Sequence, residues 1–191
     1  PGADIATLLK KAPAHRLDLG TSGCLILVHD KDAARHFEVA FRERRIEKQY
    51  LAVVAGCIEA DRFVSNAPIA LDPDSRLPHK VCVTADGAVA ETHFQVIERR
   101  ASNTLVLAQP KTGRRQIRIH LAHAGHAILG DLLYGGDERQ FIRWLQGQPV
   151  DEVAGVAAGR HLLHASQLVL PMPGSNELLT ITAPVPDDFA V

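Results

Sequence analysis

Val81-Cys82-Val83-Thr84, then Ala85-Asp86-Gly87, then Ala88 through Ile97, is the stretch on which the fold class turns: two β-rich runs joined by an aspartyl-glycine pair. Glycine takes the positive φ that tight hairpin turns need, so this spacing predicts an antiparallel hairpin. Working outward, Gln49 to Ala55 is β-rich and stops at Gly56, and Thr104 to Gln109 follows the turn-forming Ser102-Asn103. Leu162 to Leu170 and Leu178 to Thr182 read as closing strands. Toward the other end, Cys24 to His29 is an apolar, strand-like run, and Asp30 precedes Ala34, Phe37 and Phe41 at helical spacing. That predicts a helix from Lys31 to Arg44. Residues 111 to 125 satisfy two patterns, since Ile117, Ile119 and Leu121 alternate as in a strand while Gly113 and Gly125 bracket a length that suits a helix. Helix is the reading adopted. Glu138 to Leu145 gives another helix, with a small-residue loop from there through Gly159. Many strands in hairpin-like succession, with helices inserted irregularly, specify an α+β fold: a mixed, largely antiparallel central sheet with flanking helices. No repeat or linker divides the chain, so residues 1–191 are expected to form one domain.

The chain has 191 residues, 46% of them hydrophobic and 23% charged, which is globular usage and excludes the disordered and fibrous classes. Its formal charge is -1, so an anionic partner has to be met by local clusters of cations rather than by the whole molecule. Arg42, Arg44, Arg45 and Lys48 form one such cluster, and Lys111, Arg114, Arg115 and Arg118 another. The plain alternative for either is a solvated surface. Cys24, Cys57 and Cys82 are odd in number and form no C-x-x-C pair, which argues against a disulfide framework or thiolate zinc site and for a reducing, cytoplasmic setting. The aliphatic runs are too short to cross a bilayer, so no membrane partner is expected. The first residues, Pro-Gly-Ala-Asp-Ile, lack an initiator Met and any signal-peptide pattern, so an N-terminal truncation is expected. No G-x-G-x-x-G or G-x-x-x-x-G-K follows a strand, so no nucleotide cofactor is expected.

Chemistry concentrates in His15-Arg16-Leu17-Asp18 and the following Thr21-Ser22-Gly23. A carboxylate set between a cation and a turn, just ahead of an apolar run, is well presented as a nucleophile. An N-capping or turn aspartate is the plain alternative. Taken with Lys48-Gln49-Tyr50 ending at Gly56, and with Thr112-Gly113-Arg114 and Gln116-Ile117-Arg118-Ile119-His120-Leu121, the pattern resembles the RluA-type pseudouridine synthases. The similarity runs on through Gly125-His126, Gly130-Asp131, Tyr134-Gly135 and Leu163-His164-Ala165 to a closing Ala183-Pro184-Val185-Pro186-Asp187-Asp188-Phe189, in family order over nearly the whole chain.

The resemblance implies conversion of uridine in ribosomal or transfer RNA to pseudouridine: the N1 to C1′ bond breaks, the uracil rotates and a C5 to C1′ bond forms. No atoms are lost and no electrons transferred, so no cofactor and no metal are implied. It implies Asp18 as the catalytic carboxylate, acting as nucleophile at C1′ or as base at C2′, two routes the sequence leaves open. Its implied partner is Arg118, whose planar fork fixes carboxylate geometry as a lysine would not. Tyr50 matches the family tyrosine that stacks on the target base, with a packed core tyrosine as the alternative. Arg16 resembles the arginine that fills the space an everted uridine leaves, with a surface ion pair to Asp18 as the alternative. His15 and Ile119 are expected to wall the substrate pocket. Lys111 and Arg114 are expected to hold RNA phosphates at a helix start. No obligate protein partner is implied, and a monomer is the default.

Two departures from the family pattern stand out. Only Arg115 separates Arg114 from Gln116, where the family carries two residues, the second a histidine. Residues 1–14 hold nothing like the family's Asn-Lys-Pro-x-Gly strand, so a front strand is expected to be missing from the sheet; whether an upstream RNA-binding module of the S4 type belongs to the full protein is left open by the sequence. Three other readings compete. A metal hydrolase would use His120, His123 and His126, which lack the Glu of H-E-x-x-H. A glycosidase would need a second carboxylate placed beside Asp18. A domain that binds RNA without chemistry has no evident reason to carry Asp18, Tyr50 and Arg118 together.

Overall fold

The structure is a computed structural model that describes residues 11–112, 116–150, 160–175 and 177–191. Its strands are β1 (Ala12–Pro13), β2 (Ser22–Gly23), β3 (Leu27–Val28), β4 (Glu47–Ala55), β5 (Arg62–Ser65), β6 (Ile69–Leu71), β7 (Val81–Val83), β8 (Glu91–Arg99), β9 (Asn103–Thr112), β10 (Leu163–Pro171) and β11 (Leu178–Thr182). The helices are α1 (Lys31–Arg42), α2 (Gln116–His123) and α3 (Glu138–Leu145), and a 3-10 turn spans Asp187–Phe189. Six strands lie in the order β11-β10-β4-β9-β8-β5, each pair antiparallel, and β2 joins as a seventh, parallel to the start of β10. This is a mixed α+β architecture on a mostly antiparallel sheet.

Sequence explains the central strands well. β4 reads Tyr-Leu-Ala-Val-Val-Ala, apolar enough for an inner strand, and its Ala52, Val53 and Val54 are fully buried. Pro110 sits in β9 where pairing with β4 has already ended at Ala108, so its missing N–H costs no bond to β4. α1 starts at Asp30, whose Oδ1 accepts from the Ala33 amide at 2.7 Å. Its Phe37 and Ala40 pack on Cys24, Ile26, Val28, Leu168 and Leu170. Ile117 and Leu121 of α2 pack on β4, β9 and β10 in the main core.

Several boundaries differ from the sequence expectations. The Asp86-Gly87 turn exists, with the Gly87 amide donating to Thr84 O at 3.0 Å, but it wraps around Ile69 and hands Ala88 to that residue. β7 therefore pairs with β6, and β8 begins only at Glu91, paired with β5 and β9. β5 and β6 are too short to announce themselves. Lys111 and Thr112 belong to β9, so the expected 111–125 helix is confined to Gln116–His123 and ends against Gly125 at φ +83. α1 stops two residues early, because Arg44 takes φ 57. The Cys24–His29 run alternates buried and exposed through Val28, but only Leu27–Val28 pair as strand, with β1. Most of the loop expected from the end of α3 through Gly159, and most of the expected front gap, fall on residues 151–159 and 1–10, outside the described residues.

Candidate active site

Asp18 opens a turn closed by its own carbonyl, which accepts from the Thr21 amide at 2.9 Å, with Gly20 at φ +89 making the reversal possible. The chain then runs as β2 against β10. Gly23 sits so close that a Cβ there would lie 2.2 Å from Ala165 O, and its φ is +113, so both space and backbone demand glycine. Ser22 Oγ and His164 Nδ1, 2.9 Å apart, add a side-chain tie at the same place. Upstream, His15 Nε2 accepts from the Ile26 amide at 3.0 Å and its ring lies 5.1 Å from that of Phe41. His15 thus staples the motif to the run after it, and it borders the cleft.

Arg118 reaches the turn from α2. Its Nη1 donates to Asp18 Oδ2 at 3.2 Å, while Nε and Nη2 donate to Asp131 Oδ2 and Oδ1, both at 2.7 Å. Asp131 Oδ1 also accepts from the amides of Leu133 and Tyr134, at 3.0 and 3.1 Å. Side-chain exposure rises along this chain of charges, from 0% at Asp131 to 8% at Arg118 and 28% at Asp18. The buried acid therefore holds the guanidinium, and the guanidinium presents the accessible acid. Burial alone would discourage the Arg118 charge, but Asp131 and then Asp18 outweigh it and raise arginine's basicity. Burial likewise opposes the Asp131 charge, and Arg118 outweighs it, lowering that carboxyl's pKa. The guanidinium also lies 5.0 Å from the centre of the Tyr134 ring.

Asp18 and Arg118 open onto a cleft of about 980 Å³. Lys48 and Tyr50, alternate residues on one face of β4, line it together. Burial, then the nearby Asp18 carboxylate and Cys24, push the Tyr50 hydroxyl up to about 12, so it stays a neutral phenol at physiological pH. Burial pulls Lys48 below the ordinary lysine value. Arg16, Arg42, Arg44 and Lys111 border the same cleft, whereas Arg45 is turned to Glu43 at 2.9 Å. Asp18 finds its cation in Arg118 rather than in the adjacent Arg16.

Ile119 is elsewhere. It packs with Ile69 and Ala90 beside Val81, Val83 and Tyr134, and the apolar helix residue that lines the cleft is Ile117, roughly 200° away around the axis. Arg114 lies outside the described residues. His120 is spent on structure, with Nδ1 2.9 Å from Thr92 Oγ1 and Nε2 3.0 Å from Ala67 O, and His126 Nδ1 is 3.0 Å from Ala55 O. Among the described residues no group of three His, Cys, Asp or Glu side chains is placed to hold a metal ion, and no helix is long and apolar enough to cross a membrane. Sequence reasoning gave no role to Asp131, because nothing local links it to an arginine 13 positions earlier. It also overlooked His161, buried with Nε2 2.7 Å from Thr21 Oγ1.

Residues 7–123 match the family model described as RNA pseudouridylate synthase. The chain is 38% identical over 174 residues to the Ribosomal large subunit pseudouridine synthase C of Escherichia coli O157:H7, covering 91% of this chain and 52% of that protein. It is 36% identical over 177 residues to the Ribosomal large subunit pseudouridine synthase D of Nitrosomonas europaea, covering 92% and 48%. The chain thus spans about half the length of these curated relatives. Among solved structures, Human RNA Pseudouridylate Synthase Domain Containing 1 superimposes with a TM-score of 0.73 at 28% identity, over 93% of this chain and 70% of that one. Human RNA Pseudouridylate Synthase Domain Containing 4 does so at 0.70, also at 28% identity, over 94% and 73%. The match of the family model across most of the chain, together with the agreement in fold, means that this chain belongs to the RNA pseudouridylate synthase family.

Proposed function

We propose that this chain isomerises uridine to pseudouridine in RNA, with ribosomal RNA as the substrate class and Asp18 as the catalytic carboxylate. The observation that carries the reading is the Asp131–Arg118–Asp18 array, buried at one end and open at the other to a cleft beside Tyr50. The cleft volume falls in the range of ~300–1,000 Å³ usual for ligand sites. A stacked base is out of reach of any such carboxylate, so the target uridine has to leave its stack, and Arg16 on the cleft border is suited to occupy the gap.

Among the described residues, Asp18 Oδ1 accepts no hydrogen bond, which leaves it as the oxygen available to the ribose. As nucleophile it bonds C1′ while the N1–C1′ bond breaks and its electrons leave on the uracil. After rotation C5 bonds C1′, the carboxylate is released, the C5 proton departs and N1 gains one. As base at C2′ the same oxygen takes and returns a proton, so both routes regenerate Asp18 and need no electron acceptor. Arg118 keeps Asp18 oriented throughout. Tyr50 offers a ring face to the base and, as a neutral phenol, a hydrogen-bond donor rather than a resident base. Arg42, Arg44, Lys48 and Lys111 supply positive charge for the phosphates around the target. The names of the curated relatives favour ribosomal over transfer RNA.

The test compares pseudouridine maps of ribosomal and transfer RNA from cells with and without the gene. Loss of a pseudouridine from large-subunit ribosomal RNA, restored by the wild-type gene, supports the reading. Unchanged maps overturn it, and a loss confined to transfer RNA overturns the substrate class.

A further inference from the structure

Arg160, His161 and the closing Ala183–Phe189 motif have no part in the chemistry above, yet they converge behind Asp18. Arg160 Nε and Nη2 donate to Asp188 Oδ2 and Oδ1, both at 2.8 Å. Its Nη1 donates to Gly20 O at 3.0 Å, and also to the carbonyls of His161 at 3.1 Å and Leu163 at 3.4 Å. The guanidinium stands 5.9 Å from the centre of the Phe189 ring. Gly20 is the residue on which the Asp18 turn pivots, and the next residue, Thr21, is bonded through its hydroxyl to His161. Arg160 also touches the other acid's loop, because a Cβ on Gly130, just before Asp131, would lie 2.2 Å from Arg160 O. One dipeptide therefore abuts both loops whose acids flank Arg118.

We propose that the Arg160–Asp188 ion pair is a positioning device for the reaction, fixing the Gly20 carbonyl, and with it the Asp18 turn, at its working distance from Arg118. A guanidinium suits this role because one edge of the planar fork takes the carboxylate bidentately while the remaining nitrogen serves the carbonyls, which an ammonium does not reproduce. Both partners are partly shielded, with side-chain exposures of 19% and 29%, and the pair is braced by Phe189. The turn at Asp187–Phe189 thereby reaches the catalytic loop through the Arg160 side chain. The proposal rests on the assigned reaction, because small displacements of a reacting group cost rate far more than affinity, about a hundredfold for an ångström.

The test uses Arg160→Lys, Asp188→Asn and their double variant in this chain, with four readouts: single-turnover pseudouridine formation, RNA affinity, melting temperature, and hydrogen exchange at the Thr21 amide with the core Val106 amide as control. Each single variant is expected to lose at least about tenfold in rate with affinity within about threefold of wild type. The double variant is expected to be no slower than the worse single. Thr21 exchange accelerates while Val106 exchange does not. A rate within twofold of wild type overturns the proposal, as does a fall in rate, affinity, melting temperature and Val106 protection together, which marks a merely structural brace. If the wild-type chain itself forms no pseudouridine, the assigned reaction fails, and Thr21 exchange still decides the positioning: protection unchanged in both variants overturns it.

Discussion

The three charges at 131, 118 and 18 differ in what their removal should do. Asp131→Asn leaves a buried guanidinium with one partner of two, and breaking a buried pair costs about 3–5 kcal/mol, to be read from chemical denaturation. Asp18→Asn leaves the bidentate Asp131 contact in place, so stability is expected to change by less than about 1 kcal/mol while activity disappears. His161 sets an acid limit on the fold. Burial, then the Arg118 charge, against the pull of Asp131 and Asp18, hold it down to about 4. An unfolded histidine takes its proton near pH 6.5, so on acidification the unfolded chain binds it first. The stability this represents, roughly 3 kcal/mol, is complete above about pH 6.5 and is lost as pH falls toward about 4. Denaturation midpoints between about pH 7.5 and 4.5 should fall more steeply for wild type than for His161→Gln; equal slopes would remove His161 from the account. Of these residues Asp18 and Arg118 were legible as motif positions. Asp131 and His161 were not, because their importance lies in contacts across 13 and 140 positions that no spacing rule encodes.

At the level of elements, the turn and strand that present Asp18 depend on a glycine, and the cationic border depends on a residue that ought to be one. Gly23→Ala would drive a methyl into Ala165 O at positive φ, and is expected to destabilise by about 3 kcal/mol, measured by thermal or urea denaturation. Arg44 ends α1 in the left-handed region that glycine prefers, with its amide donating to Phe41 O at 3.2 Å, and it borders the cleft. Arg44→Gly is therefore expected to hold or raise stability by about 1 kcal/mol while weakening RNA binding; unchanged binding would show that the strained arginine serves no RNA contact. Elements with strong local signals, β4, β9, α1 and α3, were legible because composition and capping agree with their tertiary setting. The Asp86-Gly87 hairpin was misread because the turn chemistry is local, whereas the partner of β7 is chosen by Ile69, which lies earlier in the chain and carries no turn signal. The 111–125 ambiguity resolved as helix at Ile117, Ile119 and Leu121, while Lys111 and Thr112, ahead of Gly113, belong to the end of β9.

For the molecule as a whole, a net charge of -1 conceals a local cluster of cations, since Arg16, Arg42, Arg44, Lys48 and Lys111 all border one cleft. RNA affinity should therefore fall with salt, and Lys111→Ala should reduce the slope of log affinity against log salt by roughly 0.7, one phosphate contact, without altering sequence preference. The α+β class was legible from the succession of strands, and the site from motifs spread over about 100 positions. Their convergence was expected only through the family resemblance, because no spacing rule encodes long-range docking such as that of β2, parallel, on β10. The central claim is that one carboxylate, held by Arg118 over the cleft, replaces a C5 proton with a glycosidic carbon. Tritium release from RNA carrying uridine labelled at C5 measures that substitution directly. Wild type is expected to release tritium in step with pseudouridine formed, and Asp18→Asn to bind the same RNA and release none. Release by Asp18→Asn at the wild-type rate would contradict the account.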